Sequence, residues 1–319
     1  MQASTEHYDA VIIGGGPAGV SCAVWLARLG YAPILLEAGS RIGGLCRMHP
    51  FPDDWNASLP GATGPQVADN LELSLEQAGV PVRLSHAVAH IESAGREFIV
   101  TVKGEGGEIM LHAAHVVLAT GVTARGLPEA GTAAAGAGPA QAGHAGGKGM
   151  PVDSSILIGP GAHIVAQDFT GKQVAVLGGG DNAFENALYA MRHGASLVQV
   201  YARNVRAQQQ FVRQMSAAQL HVGEYQVDVQ GCAVNGRRYD LILVFYGWEP
   251  NARFAGSLNL SRGEQGFIAT DAATAQTSFP GVYAIGEVTQ RQHPCVVTAL
   301  ADGVTAAKAI QARIERGRG

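Results

Sequence analysis

The first forty residues alternate between short apolar runs and one longer stretch with helical spacing. Asp9–Ile13 is a short apolar run, Ser21–Leu29 has apolar residues at helical spacing before Gly30, and Ile34–Leu36 is a second apolar run. Buried parallel strands have this continuous apolar character, whereas a helix packed on a sheet keeps one apolar stripe. The pattern predicts a strand–helix–strand unit.

The same rules predict the remaining elements. A helix is expected at 66–79, then a small antiparallel meander over 82–93, 97–103 and 108–112, and a buried strand over 115–121. A second strand–helix–strand unit is expected at 172–177, 184–193 and 197–201. Strands at 239–245 and 281–287 and a helix at 296–316 complete the prediction. Alternating strands and helices of this kind favour an α/β fold with parallel sheets.

A G-x-G-x-x-G motif directly follows the first predicted strand. Gly14 permits the tight turn, Gly16 allows the backbone to approach a pyrophosphate, and Gly19 allows close packing of helix on strand. The helix N-terminus then faces the phosphates with unpaired N–H groups. Glu37 ends the second strand, 18 residues after Gly19, where an acidic side chain can bind a ribose diol. These features together predict dinucleotide binding.

A second motif, G-x-G-x-x-A at 178–183, also follows a predicted strand. The strand after it ends not in an acidic residue but in a segment that contains Arg203 and Arg206. Guanidinium groups suit a ribose 2′-phosphate, so NADPH is favoured over NADH. Two dinucleotide sites in one chain predict hydride transfer between a nicotinamide and a flavin.

Composition narrows the possible partners and compartments. The 319 residues are 47% hydrophobic and 15% charged, with a formal net charge of −4. This balance argues against nucleic acid or an anionic membrane surface as a partner, because either would require a basic face. The sequence shows no signal peptide and no apolar run long enough to span a bilayer, so a cytoplasmic location is expected.

The four cysteines, Cys22, Cys46, Cys232 and Cys295, are scattered and none belongs to a C-x-x-C pair. That distribution predicts neither a zinc ribbon nor a disulfide framework, and we expect no metal site. Residues 131–149 are mostly glycine and alanine, which is typical of a flexible loop or linker.

The motifs resemble those of the low-molecular-weight thioredoxin reductases and of the thioredoxin-reductase-like ferredoxin–NADP reductases. The resemblance rests on GGGPAG at 14–19, ATG at 119–121, GGGDNA at 178–183, GWEPN at 247–251 and AIGEV at 284–288. It implies two Rossmann-like dinucleotide-binding domains of the three-layer ββα type. The FAD domain would be discontinuous, at 1–121 and 248–319, with an NAD(P)H-binding domain inserted at 122–247.

The resemblance also implies the ligands of each cofactor. The expected FAD-binding residues are Gly14, Gly16, Pro17, Ala18, Gly19, Glu37, Gly43, Gly44, Thr120, Gly121, Gly286, Glu287, Val296 and Val297. The expected NADPH-binding residues are Gly178, Gly180, Asp181, Asn182, Ala183, Arg203 and Arg206. In the family, the last helix points its N-terminus at the flavin, which makes His293 and Cys295, directly before that helix, candidates for catalysis. Cys46, which follows the Gly43–Gly44 turn, is a third candidate by its position.

The sequence departs from the family pattern in three places. The region that should hold the redox-active C-x-x-C reads SSILIGPGAHIVAQDFTGK and contains no cysteine. Glu287 replaces an aspartate that contacts the ribityl chain, and only Arg203 and Arg206 match the basic NADPH motif. Because a disulfide cannot be exchanged without an attacking thiolate, a direct dithiol relay to thioredoxin is not expected.

The leading hypothesis is an FAD-dependent oxidoreductase, not a true thioredoxin reductase. It would pass electrons between NAD(P)H, or another donor, and an acceptor such as ferredoxin, flavodoxin or a small molecule. Two alternatives stay open: a flavin-dependent oxidase of a small thiol metabolite, and a non-catalytic flavin-binding redox sensor. The family resemblance further implies a homodimer.

Overall fold

The computed structural model describes residues 6–49, 51–127, 155–289 and 293–318. The chain divides into two compact units, one formed by Met1–Thr123 with Glu249–Gly319 and the other by Ala124–Trp248. The Gly/Ala-rich stretch 131–149 lies outside the described residues.

Strands and helices alternate through much of the chain. Up to residue 124 the elements are β1 (Glu6–Ile13), α1 (Pro17–Arg28), β2 (Pro33–Leu36), α2 (Gly64–Ala78), β3 (Val82–Arg83), β4 (Ala87–Ala94), β5 (Glu97–Gly104), β6 (Gly107–Leu118) and β7 (Val122–Ala124). Next come β8 (Ile156–Ile158), α3 (Ala162–Val165), β9 (Gln173–Leu177), α4 (Asp181–Arg192), β10 (Leu197–Ala202), α5 (Gln209–Val212), β11 (Leu220–Val222), β12 (Val227–Asp228), β13 (Ala233–Val234), β14 (Arg237–Arg238) and β15 (Leu241–Val244). The chain ends with β16 (Trp248–Pro250), β17 (Val282–Ala284) and α6 (Val296–Arg318). Within the described ranges, four short 3-10 helices lie at Gly44–Met48, Ala217–Gln219, Arg253–Leu258 and Gly286–Val288.

The first unit is built on a mixed sheet whose strand order is β3-β2-β1-β6-β5-β4, with β17 paired to β6. Strands β1, β2, β6 and β17 are parallel, while β4, β5 and the first half of β6 form the antiparallel meander. Parallel strands are buried on both faces, which explains their continuous apolar runs. The carboxyl ends of β1, β6 and β17 therefore meet at one edge of the sheet.

Two strand predictions were wrong in detail. The predicted strands at 108–112 and 115–121 form one strand, β6, because the Ala-Ala pair between them contains no turn residue. The predicted strand at 82–93 is divided into β3 and β4. Ser85 adopts a φ of +55° between them, which interrupts the extended backbone. As a result β3 pairs in parallel with β2 and not with the meander.

Helices α1 and α4 both begin earlier than their apolar spacing predicts. Helix α1 starts at Pro17 and α4 starts at Asp181, directly after Gly16 and Gly180. Proline suits the first helical position because its fixed φ is already helical and it has no N–H group to satisfy. Both glycine loops therefore lead without a spacer into a helix N-terminus.

Side chains of β1 alternate between two apolar layers. Ala10 and Ile12 pack with buried residues of α1, α2 and α6, whereas Val11 and Ile13 pack with the meander and β17. All four are essentially inaccessible to solvent. Strand β1 is thus fixed on both faces, which holds the loop that comes after it in place.

The second unit repeats the arrangement on a smaller scale. Its main sheet has the order β11-β10-β9-β15-β8, with every described pair parallel, and β12-β13-β14 form a separate antiparallel sheet. One face of β9 packs against α4 through Val174 and Val176. The prediction of an α/β fold with two Rossmann-like domains is confirmed. Among the described residues, the helices are all too short or too polar to cross a bilayer.

Candidate functional site

The main chain of the loop after β1 lies in close contact with the main chain at the end of β6 and with the first turn of α1. Gly14 has a φ of +112°, and a Cβ there would lie 2.3 Å from the carbonyl oxygen of Ala119 at the end of β6. A Cβ at Gly19 would lie 2.0 Å from the carbonyl oxygen of Gly14. No side chain fits at either position without moving the main chain. These two glycines are therefore required by the turn and by the close packing of α1.

Gly16 faces open space. It is the N-cap residue of α1, and a Cβ there would meet no atom within 4 Å. Helix α1 has no side-chain cap and no acidic residue in its first turn. Its N-terminal N–H groups and the positive end of its dipole are available for an anion. This open cradle fits the pyrophosphate of a dinucleotide.

Glu37 lies half-buried beside the same loop. Its carboxylate accepts hydrogen bonds from the N–H of Gly15 and the N–H of Gly39, both at 2.7 Å. A carboxylate oxygen has more than one lone pair, so each oxygen can accept a further hydroxyl. The two backbone bonds fix the carboxylate in position, and its remaining lone pairs fit a ribose diol.

Three other loops of the first unit reach the Gly14–Gly19 loop. The N–H of Gly43 donates to the carbonyl oxygen of Gly15 at 2.8 Å, and a Cβ at Gly44 would lie 3.2 Å from the Cα of Gly16. A Cβ at Gly286 would lie 2.9 Å from the Cβ of Ala18. The Cα of Thr120 would be 3.1 Å from a Cβ at Gly14. These contacts bring together most of the residues predicted to bind FAD: Gly14, Gly16, Pro17, Ala18, Gly19, Glu37, Gly43, Gly44, Thr120, Gly121 and Gly286.

Two residues that hold these loops were not among the predicted site residues. Asn251 accepts a hydrogen bond from the Thr120 hydroxyl through its carbonyl oxygen, at 2.5 Å, and its side-chain amide donates to the Thr120 carbonyl oxygen at 3.2 Å. Asp302 is buried on α6 and accepts a hydrogen bond from the N–H of Gly286 at 3.1 Å. Asp302 could have been identified from the sequence, because it is the single acidic residue in the apolar first half of the last helix.

Cys295 and Thr298 cap the N-terminus of α6. The Thr298 hydroxyl donates to the carbonyl oxygen of His293 at 2.6 Å, and the N–H of Thr298 lies 3.5 Å from the Cys295 sulfur. Val296 packs on the apolar core next to α1, whereas Val297 is about half exposed, at 47%. The Cys295 thiol is exposed and free. Its contacts with Thr298 support the role of a capping group.

Cys46 lies near Glu287 in a shielded environment. Burial raises the pKa of the Cys46 thiol to about 11, with smaller contributions from the carboxylates of Asp53 and Glu287. Burial also raises the pKa of the Glu287 carboxyl above its usual value. A thiol with such a pKa is almost entirely protonated at neutral pH and is a weak nucleophile. The surroundings of Cys46 therefore favour an inert thiol.

The second unit has the same turn after β9. Gly178 has a φ of +138°, and a Cβ there would lie 2.4 Å from the carbonyl oxygen of Phe245. Gly180 is the N-cap residue of α4, which has no side-chain cap, and a Cβ at Gly180 would meet no atom within 4 Å. This cradle also fits a pyrophosphate. The predicted ligands Asp181, Asn182 and Ala183 form the first turn of α4.

The segment after β10 folds onto the second glycine loop. The carbonyl oxygen of Gly179 accepts hydrogen bonds from the N–H groups of Arg206 and Ala207, at 2.7 and 2.9 Å. The Asp181 carboxylate accepts two more from the N–H and side-chain amide of Gln208, at 2.7 and 3.0 Å. Arg203 is exposed, as is Arg206, and neither forms an ion pair within the part of the chain that is described. Both guanidinium groups are therefore available to an anionic ligand.

The sequence matches the pyridine nucleotide-disulphide oxidoreductase family over residues 8–303. It is 27% identical to a thioredoxin reductase from Coxiella burnetii, covering 95% of each chain. It is 26% identical to a glucosaminate ammonia-lyase from Pseudomonas fluorescens, covering 95% of this chain and 94% of that protein. Among solved structures, thioredoxin reductase from Lactococcus lactis superposes with a TM-score of 0.74 at 25% identity, over 97% of this chain and 99% of the other.

Proposed function

The chain belongs to the pyridine nucleotide-disulphide oxidoreductase family, and from that premise we propose that it is an FAD-dependent oxidoreductase with an acceptor other than a C-x-x-C disulfide. The thioredoxin reductase-like members of this family use FAD and NADPH. In our proposal electrons enter from NADPH, or from another donor, and leave to ferredoxin, flavodoxin or a small molecule.

The proposal rests on the number and positions of the cysteines in the sequence. The sequence has no C-x-x-C pair, and the stretch 154–172 before the second glycine motif contains no cysteine. Disulfide exchange needs a thiolate and a resolving thiol. The pKa values of Cys46 and Cys22 are raised by burial to about 11 and about 12, so both thiols stay protonated at neutral pH. A glucosaminate ammonia-lyase is similar to this chain at nearly the same identity as the thioredoxin reductases, so similarity at this level is compatible with more than one activity.

The first unit would hold FAD. When bound, FAD supplies a ring that accepts a hydride and can pass its electrons on singly or as a pair. The open N-terminus of α1 at Gly16 would bind the pyrophosphate, and the carboxylate of Glu37, already oriented by Gly15 and Gly39, would bind the adenosine ribose. Gly286, fixed by Asp302, would position Glu287 toward the ribityl chain.

The second unit would hold NADPH. The N-terminus of α4 at Gly180 offers the same open cradle to a pyrophosphate. Arg203 and Arg206 stand where an NAD-binding protein has an acidic residue, and their exposed guanidinium groups suit a 2′-phosphate. The likeness to thioredoxin reductases also supports a homodimer as part of the proposal.

An anaerobic reduction experiment tests the proposal. FAD-loaded protein is titrated separately with NADPH, NADH and reduced ferredoxin while the visible absorbance of the flavin is followed. We expect NADPH to reduce the flavin faster than NADH does. With NADPH present, ferredoxin, flavodoxin or a quinone should reoxidise the flavin, and thioredoxin should not. A flavin that no donor reduces, or steady reduction of thioredoxin, would contradict the proposal.

A further inference from the structure

A cluster of three potential metal ligands lies at the end of the first sheet that is remote from the glycine loop. It consists of His7 on β1, Glu97 on β5 and His112 on β6. The Nδ1 atoms of His7 and His112 are each 3.6 Å from a different oxygen of the Glu97 carboxylate. One ligand atom from each residue lies within 4.8 Å of the other two.

The backbone fixes this cluster. His7 and His112 are directly paired residues of the parallel strands β1 and β6, and their ring centroids are 4.9 Å apart. Glu97 begins β5, whose pairing with β6 places Phe98 opposite Ala113 and Ile99 opposite His112. The three ligands therefore come from neighbouring strands of one hydrogen-bonded sheet. Only side-chain rotations are needed to adjust their distances.

Two imidazoles and one carboxylate form a donor set that binds zinc and similar divalent transition metals. Metal–ligand bonds of about 2.0–2.2 Å in a tetrahedral site place neighbouring ligand atoms about 3.4 Å apart. Each Nδ1 atom is 3.6 Å from one of the two Glu97 oxygens, close to that separation, and rotation of the side chains would bring both nitrogens to this distance from a single oxygen. We propose that His7, Glu97 and His112 bind one divalent transition metal ion of the zinc type, with a water in the fourth position.

An ordinary pair of surface ion pairs is the competing explanation. The side chains of His7, Glu97 and His112 are 57%, 47% and 24% exposed, and ion pairs at such positions contribute little stability. However, both imidazoles address the same carboxylate, one at each oxygen, and no other hydrogen bond or ion pair engages these side chains among the described residues. Three donors with ligand atoms within 4.8 Å of one another, and with no other partner in the described part of the chain, are a set that a shared cation can hold.

The position of the cluster indicates a binding or stabilising role and not one in electron transfer. His7 precedes Gly14 by seven residues along β1, which corresponds to about 23 Å of extended chain. A bound ion would tie together three strands of the first unit at the end opposite to the proposed FAD cradle. The inference therefore does not depend on the proposed redox activity, and its test requires no turnover.

Metal binding to the intact FAD-loaded protein is the test. Zn²⁺ is titrated by calorimetry, and Co²⁺ is titrated while its visible ligand-field bands are followed. We expect one ion per chain and a tetrahedral Co²⁺ spectrum without the charge-transfer band of a thiolate. His7→Ala, His112→Ala and Glu97→Gln should each weaken binding by at least about 100-fold, since the loss of a direct ligand exceeds the 10–100-fold typical of outer-shell changes. Zn²⁺ should raise the melting temperature of the native protein but not of these variants.

His90→Ala is the matched control, because His90 is an exposed histidine of β4 in the same sheet. Its affinity for Zn²⁺ should equal that of the native protein. Retained flavin content shows that each variant is folded. Equal affinity in His7→Ala and the native protein would overturn the proposal, and so would a thiolate band in the Co²⁺ spectrum, which would assign binding to the cysteines.

Discussion

The two glycine loops share their turns and differ in the segments beyond the next strand. In the first unit Gly14 and in the second unit Gly178 have positive φ, and a Cβ at either would lie 2.3–2.4 Å from a carbonyl oxygen of a neighbouring strand end. Gly16 and Gly180 are the N-cap residues of α1 and α4; neither helix has a side-chain cap, and both glycines face open space. The backbone geometry of a strand–turn–helix unit imposes these shared features, so they indicate a dinucleotide site without indicating which dinucleotide.

The two units differ in the charged side chains that follow β2 and β10. After β2 the carboxylate of Glu37 accepts hydrogen bonds from two backbone N–H groups of its own unit. After β10 no carboxylate takes this position: the backbone N–H of Arg206 donates to the carbonyl oxygen of Gly179, as that of Gly43 donates to Gly15 in the first unit, and the side chains of Arg203 and Arg206 are exposed. A fixed carboxylate suits hydroxyl groups, whereas free guanidinium groups suit a phosphate. If the two units bind the proposed nucleotides, a few residues give one scaffold opposite charge preferences.

The helix N-termini differ as well. Helix α1 has no acidic residue in its first turn, whereas α4 begins with Asp181, whose carboxylate is engaged by Gln208. A carboxylate at this position offsets part of the positive helix end that would attract a pyrophosphate. We therefore expect the first site to retain its dinucleotide and the second to exchange it, as a cofactor and a substrate require.

The largest expected loss of stability comes from substituting the first glycine of either turn. Gly14→Ala should destabilise the first unit and Gly178→Ala the second, each by about 3 kcal/mol or more, because positive φ and overlap with a carbonyl oxygen are added. Chemical denaturation followed by flavin fluorescence and by far-ultraviolet circular dichroism measures the two effects. Gly106→Ala, in an open turn, is the control and should change little. Native stability in Gly14→Ala would show that the turn is not under this constraint.

An intermediate effect should separate cofactor binding from folding. Gly16→Ala and Gly180→Ala place a methyl group in open space, so each should leave the free energy of unfolding of the ligand-free protein within about 1 kcal/mol of native. The same methyl group would intrude on a bound pyrophosphate, at a cost of about 1–3 kcal/mol, or roughly 5- to 150-fold in affinity. Gly16→Ala should lower the flavin content, while Gly180→Ala should keep its flavin and raise the KM for NADPH.

Flavin content and the KM for NADPH, measured on both variants, check that assignment. If Gly180→Ala lost flavin while Gly16→Ala kept it, the roles of the two units would be exchanged. If both variants behaved like the native protein, the cradles would not contact a pyrophosphate at all.

Local patterns were sufficient to predict most of the parallel strands, the glycine turns and the α/β class. The glycine motifs, apolar runs and helix spacing are each properties of fewer than thirty consecutive residues, and the β1–α1–β2 unit was predicted because its contacts lie within that range. The exact helix starts at Pro17 and Asp181 were missed because the prediction used apolar spacing and not the N-cap glycines.

Contacts between distant residues could not be predicted. Thr120 binds Asn251 across 131 positions of sequence, and Gly286 binds Asp302 across 16 positions without a local motif that marks the pair. The His7, Glu97 and His112 cluster requires the pairing register of three strands, which the merging of two predicted strands into β6 determines. No motif joins these residues in the sequence.

The smallest expected effect tests the charge distinction directly. Arg203→Gln and Arg206→Gln should each raise the KM for NADPH by about three- to tenfold, because an exposed charge-assisted bond to phosphate contributes about 1 kcal/mol. The KM for NADH, which has no 2′-phosphate, should stay unchanged. Arg192→Gln is the control, since Arg192 is also exposed but lies at the far end of α4. Steady-state kinetics with both nucleotides at two salt concentrations measures these effects. A parallel rise in both KM values would mean that the arginines support the fold of the loop. The difference between these arginines and Glu37 would then affect loop structure and would not determine which nucleotide binds.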